Sequence, residues 1–105
     1  MPTSANQEDH VSMGPIAARH ARTVLEHVER IVAIELLVAA EGLDCRLDLL
    51  GGDAVPGAGV AEARERIRAI VPRLAGDREP GPDLAALTRL VHEGGLSGLA
   101  GGPAA

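Results

Sequence analysis

Residues 31–43, which read IVAIELLVAAEGL, decide the fold of this chain. A helix through this stretch is apolar on nearly every side, and Glu35 and Glu41 are the two charged residues that interrupt it. A helix that is apolar all round is normally buried all round. The stretch therefore predicts a central helix with neighbours on several faces, and a partner for Glu35 if its carboxylate is buried.

The same helical pattern continues toward the N-terminus, where it becomes amphipathic. Apolar residues recur at spacings of three and four, and Arg22 and Glu26 form an i,i+4 pair on the polar face. Pro15 suits the first turn of a helix, where a missing N–H has no cost. We therefore predict one long helix over about residues 15–47, preceded by a loop.

Two shorter helices are predicted downstream, after a glycine- and proline-rich loop at residues 49–59. The first covers about residues 60–74, with Pro72 near its end. The second covers about residues 82–93, with Pro82 in its first turn and the glycine pair 94–95 as its stop. No segment has the period of a strand, so the fold class is all-α. The predicted organisation is a loop at 1–14, a helical segment at 15–96 and a flexible Gly/Ala/Pro tail at 97–105.

The lengths of these helices do not match the burial that the long helix requires. The two short helices together span about 40 Å, which covers one side of the roughly 42 Å that residues 16–43 of the long helix span, but not the other sides. Each Leu, Ile or Val left in water forgoes about 1.5–3 kcal/mol, against a domain stability of about 5–15 kcal/mol. The chain is therefore expected to be a fragment of a larger helical bundle or to associate through this helix.

Composition disfavours several classes of partner. The net charge is −5 and the chain has no aromatic residue, which disfavours nucleic-acid binding. The longest apolar stretch is too short and too charged to span a membrane. With no secretory signal visible and Cys45 as the single cysteine, we expect a cytoplasmic protein without an internal disulfide.

Polar residues concentrate near the N-terminus, where residues 6–14 read NQEDHVSMG. Composition alone favours a solvated tail, while the alternative is a loop that lines a site. A metal site is disfavoured because consecutive residues rarely all point at one ion. His20 and His27 are about 10 Å apart along a helix, too far to share a metal. Cys45 has no nearby base in the sequence, so we expect an unreactive thiol and not a nucleophile.

The run PTSANQEDHVSMG at residues 2–14 closely resembles histidine ammonia-lyases, within the family of aromatic amino-acid ammonia-lyases. The resemblance continues through AAR at 17–19, AIELL at 33–37 and GLD at 42–44, and more weakly to about residue 96. It covers only the C-terminal part of such an enzyme.

The resemblance implies a mostly helical homotetramer with a central helical bundle, which would account for the all-round apolar helix. It implies deamination of L-histidine to urocanate and ammonia, with a methylidene-imidazolone electrophile formed from an Ala-Ser-Gly tripeptide. This chain contains no Ala-Ser-Gly and no tyrosine. It is therefore expected to be inactive alone and to need the N-terminal part of a lyase, or other subunits, as partners.

Glu8 resembles the active-site glutamate of the histidine-specific members, which lies near the substrate. The resemblance makes Glu8 the catalytic and substrate-binding candidate, with Gln7 beside it as a second substrate-binding candidate and Asp9 and His10 in support. Two other interpretations remain open. The chain could be a non-catalytic helical oligomerisation or interaction module, or a regulatory subunit that caps an intact lyase.

Overall fold

The computed structural model describes the backbone of residues 6–99 and the side chains of residues 13–99. It contains three helices, α1 (Asn6–Leu50), α2 (Ala58–Arg68) and α3 (Gly81–His92). Within residues 6–99 there is no strand. The all-α fold class predicted from the sequence is confirmed.

Helix α1 is longer than predicted, because it begins at Asn6 and runs through Pro15 to Leu50. The loop expected up to Gly14 is therefore wrong from Asn6 onward. The error came from assigning Pro15 to a first turn, when it lies inside the helix and removes one backbone hydrogen bond there. The preceding residues include strong helix formers such as Gln7, Glu8 and Met13, which favour continuing the helix across the proline.

Helix α2 ends at Arg68, earlier than the predicted residue 74. Pro72 explains the difference, since its ring clashes with the carbonyl four residues earlier, which is that of Arg68. The chain leaves the helix in a tightened turn, in which the amides of Ile70 and Val71 both donate to the carbonyl of Ile67, at 3.1 and 2.8 Å. Helix α3 lies within one residue of its predicted bounds at each end.

The core lies on one side of α1, where α2 and α3 pack against it. Small side chains on α1 allow the close approach, since Ala33 and Ala40 are 0% and 4% exposed. Facing them are the three buried residues of the other segments, Ile67, Val71 and Leu87. Partly buried leucines surround this cluster, and they are Leu36 and Leu37 on α1 with Leu90 and Leu96.

The opposite side of α1 is open to solvent. Its large apolar side chains are between 43% and 65% exposed, and they include Val24, Val28, Ile31, Ile34 and Val38. Glu35 is also exposed and needs no buried partner. The prediction that the two short helices cannot cover α1 is confirmed.

Candidate functional site

The residues singled out by the sequence as site residues lie at the N-terminal end of α1. The backbone of Gln7, Glu8, Asp9 and His10 is helical, in the first turns of α1. Their side chains lie outside the described residues, which start at Met13 for side chains. The roles assigned to Glu8 and Gln7 therefore stay predictions.

A buried ion cluster centred on Asp44 joins α1 to α2. Asp44 is 1% exposed and accepts hydrogen bonds from Arg68 Nε at 2.9 Å and Arg68 Nη2 at 2.6 Å. Arg64 donates through Nε to the other carboxylate oxygen. Arg73 lies further out, with its Nε 3.7 Å from Asp44 Oδ2.

These arginines set the charge state of Asp44. Burial by itself would raise the pKa of the carboxyl group, but the hydrogen bonds from Arg64 and Arg68, with their positive charges, outweigh burial and lower the pKa. The carboxylate is therefore ionised in the folded state. No local sequence pattern predicts this cluster, because Asp44 and its arginine partners are 20 or more residues apart.

Glu41, one turn before Asp44, extends the cluster to the loop after α2. Its Oε1 accepts from Arg68 Nη2 at 3.0 Å and from the backbone amide of Leu74 at 2.8 Å. Arg78 fixes the same loop further along, by donating to the carbonyl of Pro72 at 2.6 Å and to Asp83 of α3 at 2.9 Å. The path from α2 to α3 is thus held in place by charged groups as well as by the buried side chain of Val71.

A second polar contact joins α1 to the end of α3. His92 Nδ1 lies 2.8 Å from Glu29 Oε2, and the Glu29 side chain is only 12% exposed. Beside this pair is an open cavity of about 600 Å³, between α1 and α3. Arg30 and Arg89 also line it. The cavity therefore carries charges of both signs on a lining that also includes apolar side chains such as Leu84.

An apolar cavity of about 440 Å³ lies on the other side of the core, between α1 and the loop before α3. Leu37, Val38, Leu74 and Pro80 line it, together with the free thiol of Cys45. Cys45 is exposed, and no base is hydrogen-bonded to its thiol among the described contacts. The cavity therefore combines an apolar lining with a free thiol.

The described residues do not assemble a metal centre or a membrane segment. Between Met13 and Leu99 no group of three His, Cys, Asp or Glu side chains is placed to hold a metal ion. His20 and His27 are both exposed on α1. In the same part of the chain, no helix is long and apolar enough to cross a membrane.

The polar clusters around Asp44 and Glu29 fix the orientation of the helices. Asp44, Glu41 and Glu29 all lie on α1, and each bonds to α2, α3 or the loop between them. These contacts hold the middle of α1 against α2, α3 and the loop between them. The N-terminal half of α1, which carries Gln7 and Glu8, extends beyond this anchored region.

Comparison with known proteins agrees with the resemblance noted in the sequence. The family model described as aromatic amino acid lyase matches residues 1–69. The histidine ammonia-lyases of Anaeromyxobacter sp. (strain K) and Natranaerobius thermophilus are 51% and 47% identical to this chain over 96 residues. That of Symbiobacterium thermophilum is 50% identical over the same number of residues.

Each of these alignments covers 91% of this chain but only 18% of the relative. The chain thus spans less than a fifth of the length of these enzymes and matches their C-terminal part. No solved structure matches the chain significantly. The family model matches more than half of the chain, and about half of the aligned residues are identical to those of histidine ammonia-lyases. This protein therefore belongs to the aromatic amino acid lyase family and corresponds to a C-terminal segment of histidine ammonia-lyase-like enzymes.

Proposed function

We propose that this chain supplies the C-terminal helical part of a histidine ammonia-lyase, an enzyme that converts L-histidine to urocanate and ammonia in the cytoplasm. The observation that supports the proposal is the identity of 47–51% over 96 residues with histidine ammonia-lyases of three bacteria. The run NQEDHVSMG at residues 6–14 lies within this matched region.

In this proposal Glu8 is the residue of the chain that acts on the substrate. A carboxylate can accept a hydrogen bond from an imidazole N–H and stabilise its charged form, and it can also take up a proton as a base. Gln7, the adjacent residue, contributes an amide that can both donate and accept. Both belong to the first turns of α1, so the helical backbone sets the spacing between them.

The electrophile of the reaction must come from outside this chain. The methylidene-imidazolone ring supplies the electrophilic centre in this family, and it forms from Ala-Ser-Gly, which the 105 residues do not contain. The residues present therefore do not supply that group. The chain also has no tyrosine. We therefore propose that the chain is inactive alone and works only when assembled with the rest of a lyase.

The exposed half of α1 supports such an assembly. Ile31 and Val38 are 56% and 65% exposed in the single chain, although they belong to a stretch that is apolar on nearly every side. Removing side chains of this kind from water stabilises by about 1.5–3 kcal/mol each. Association with the other parts of a lyase, as a homotetramer with a central helical bundle, would provide this burial.

Complementation tests the proposal. The chain would be co-expressed with the Symbiobacterium thermophilum enzyme from which the matching C-terminal segment has been deleted, and urocanate would be followed by its ultraviolet absorbance. We expect urocanate only when both pieces are present. Glu8→Gln should lower the rate by about 10²–10⁴-fold, the range for loss of a positioned acid or base.

Glu79→Gln is the matched control, since Glu79 is an exposed glutamate in the loop before α3. It should leave the restored rate unchanged. If the two pieces co-purify as a stable complex and no urocanate forms, the proposal is wrong. If Glu8→Gln is as active as Glu79→Gln, the role of Glu8 is wrong while the assembly stands.

A second candidate function is a non-catalytic helical oligomerisation module. The row of exposed apolar side chains on α1 favours it, because that row requires a partner whether or not chemistry follows. Under this alternative the chain would assemble without restoring urocanate formation in the complementation experiment.

A further inference from the structure

Helix α1 contains two consecutive residues that disfavour a helix, Gly14 and Pro15. Glycine and proline are the two residues least favourable in a helix interior, and a proline at position 15 also removes the hydrogen bond to the carbonyl of Val11. Both residues lie well inside the helix, because the stretch from Asn6 to Met13 before them is helical too. The least favourable pair for a helix is thus placed near one end of the longest helix of the chain.

Packing among the described residues does not account for this pair. A Cβ added to Gly14 would meet no described atom within 4 Å. The neighbouring Met13 and Ile16 are 65% and 60% exposed, so no buried contact fixes the chain at this point. Residues that break a local structural rule without a gain in packing are expected at functional sites.

The order of the two residues allows the helix to continue. The Cδ of a proline crowds the Cβ of the preceding residue and so disfavours the helical conformation there. Gly14 has no Cβ, and the backbone is helical on both sides of Pro15. The proline ring still crowds the carbonyl four residues earlier, and sharp bends in helices, of more than about 20°, occur almost always at such sites. The pair is therefore suited to bend α1 at a defined point without ending it.

Glu8 lies at a distance from this point at which a bend has a large effect. It precedes Pro15 by seven residues, which is about 10 Å along the helix axis and nearly two complete turns. The two residues therefore lie on the same face of α1. A bend of about 20° moves the backbone of Glu8 by about 3–4 Å relative to a straight helix. A misplacement of about 1 Å can lower the rate of an enzyme about a hundredfold.

We propose that Pro15 is a positioning residue for Glu8, because the bend at Gly14 and Pro15 brings the first turns of α1 to the substrate. This inference rests on the proposed function and adds to it a residue that acts through Glu8 without contacting the substrate. The bend belongs to the backbone of this chain, so the direction of the first turns is set before the chain assembles with the rest of a lyase. Such preorganisation is what a group that acts on a substrate requires.

Pro15→Ala in the complementation experiment tests this role. The variant would be co-expressed with the truncated Symbiobacterium thermophilum enzyme, and kcat would be measured per assembled complex. We expect kcat to fall about 10–100-fold while the yield of co-purified complex is unchanged, since alanine straightens the helix without unfolding it. Pro82→Ala is the matched control, because it removes a proline from the first turn of α3, where no intrahelical donor is lost. It should leave kcat unchanged.

A double substitution distinguishes positioning from a general effect on the helix. If Pro15 acts through Glu8, Pro15→Ala has no carboxylate to displace in a chain that already carries Glu8→Ala. The kcat of the double variant should therefore equal that of Glu8→Ala alone within about twofold. Independent effects of the two substitutions would instead multiply.

Three results would overturn the inference and leave the proposed function standing. Pro15→Ala could keep the kcat of the wild type, its loss could multiply with that of Glu8→Ala, or its complex could fail to co-purify, which would assign Pro15 to assembly. If the wild-type pieces co-purify and form no urocanate, the proposed function is wrong and this inference is overturned with it.

Discussion

Asp44 is the side chain at which α1 and α2 are held together. It is almost fully buried, and the guanidinium groups of Arg64 and Arg68 both donate to it. An ionised carboxylate in this position is tolerated only because these donors compensate the loss of water. Removing the negative charge would leave the partly buried Arg64 without its ion-pair partner and Arg68 with Glu41 alone.

We expect Asp44→Asn to lower the free energy of unfolding by about 2–3 kcal/mol near neutral pH. This is below the roughly 3–5 kcal/mol typical when a fully buried pair is broken, because Arg64 keeps 35% of its side chain in contact with water. Urea unfolding at a fixed protein concentration measures the change. Asp48→Asn is the control, since Asp48 is 64% exposed and its pair with Arg73 should contribute at most about 1 kcal/mol.

The same residue makes stability depend on acid pH. The pKa of Asp44 is lowered on folding, so below the ordinary aspartate pKa of about 3.9 the unfolded chain binds a proton that the folded chain does not. The contribution of Asp44 is therefore complete above about pH 4–5 and is lost as the pH falls through the folded pKa. Unfolding midpoints across pH 2–7 should fall more steeply for the wild type than for Asp44→Asn. Parallel pH profiles would contradict this assignment.

At the scale of elements, α1 is one continuous helix that contains an internal proline. Pro15 lies inside the helix and provides no N–H for a bond to the carbonyl of Val11. The eight residues from Gln7 to Gly14 are helical on its N-terminal side. The first turns of α1, and with them Glu8, are therefore connected to the rest of the helix through one of its weakest points.

We expect Pro15→Ala to increase helix content, because a proline inside a helix costs about 3 kcal/mol relative to alanine. Far-UV circular dichroism across a temperature ramp should show a larger helical signal that persists to higher temperature. Pro82→Ala is the control, since Pro82 lies in the first turn of α3, where no intrahelical donor is lost. A similar gain in both variants would mean that Pro15 does not interrupt the hydrogen bonding of α1.

At the scale of the whole molecule, burial is concentrated on one side and around the middle of α1. Among residues 13–99, the five buried apolar residues all lie between Ala33 and Leu87, whereas every residue from Met13 to Val28 is exposed. The molecule is accordingly long and thin, with extents of 71 × 37 × 19 Å. Local stability should follow this distribution, because amides without tertiary contacts open without disturbing the core.

Hydrogen exchange should reveal the difference along a single helix. At low micromolar concentration we expect amides of residues 17–28 to exchange at least about tenfold faster than those of residues 33–44. Mass spectrometry of peptides from the two regions measures this ratio. Residues 46–50, which belong to α1 beyond the core, serve as an internal comparison and should resemble residues 17–28. Uniform protection along α1 would contradict the one-sided core.

The sequence by itself determined the helical class, the position of α3 and the excess of apolar surface on α1, since these follow from local periodicity. It also carried the run at residues 6–14 that identifies the family, which is a chemical pattern independent of folding. It did not determine the ends of α1 and α2, because a proline can either lie inside a helix, at the loss of one backbone hydrogen bond, or follow the end of a helix. Pro15 lies within a helix and Pro72 follows the end of one.

Only the tertiary structure decided which face of α1 is covered and what holds it. A stretch that is apolar on nearly every side does not indicate by itself where its neighbours lie, and the packing of α2 and α3 on Ala33 and Ala40 makes that choice. The convergence of Arg64, Arg68 and Leu74 on Asp44 and Glu41 likewise joins residues 20 to 33 positions apart. Contacts over such separations arise from the path of the chain in space, which local sequence patterns do not record.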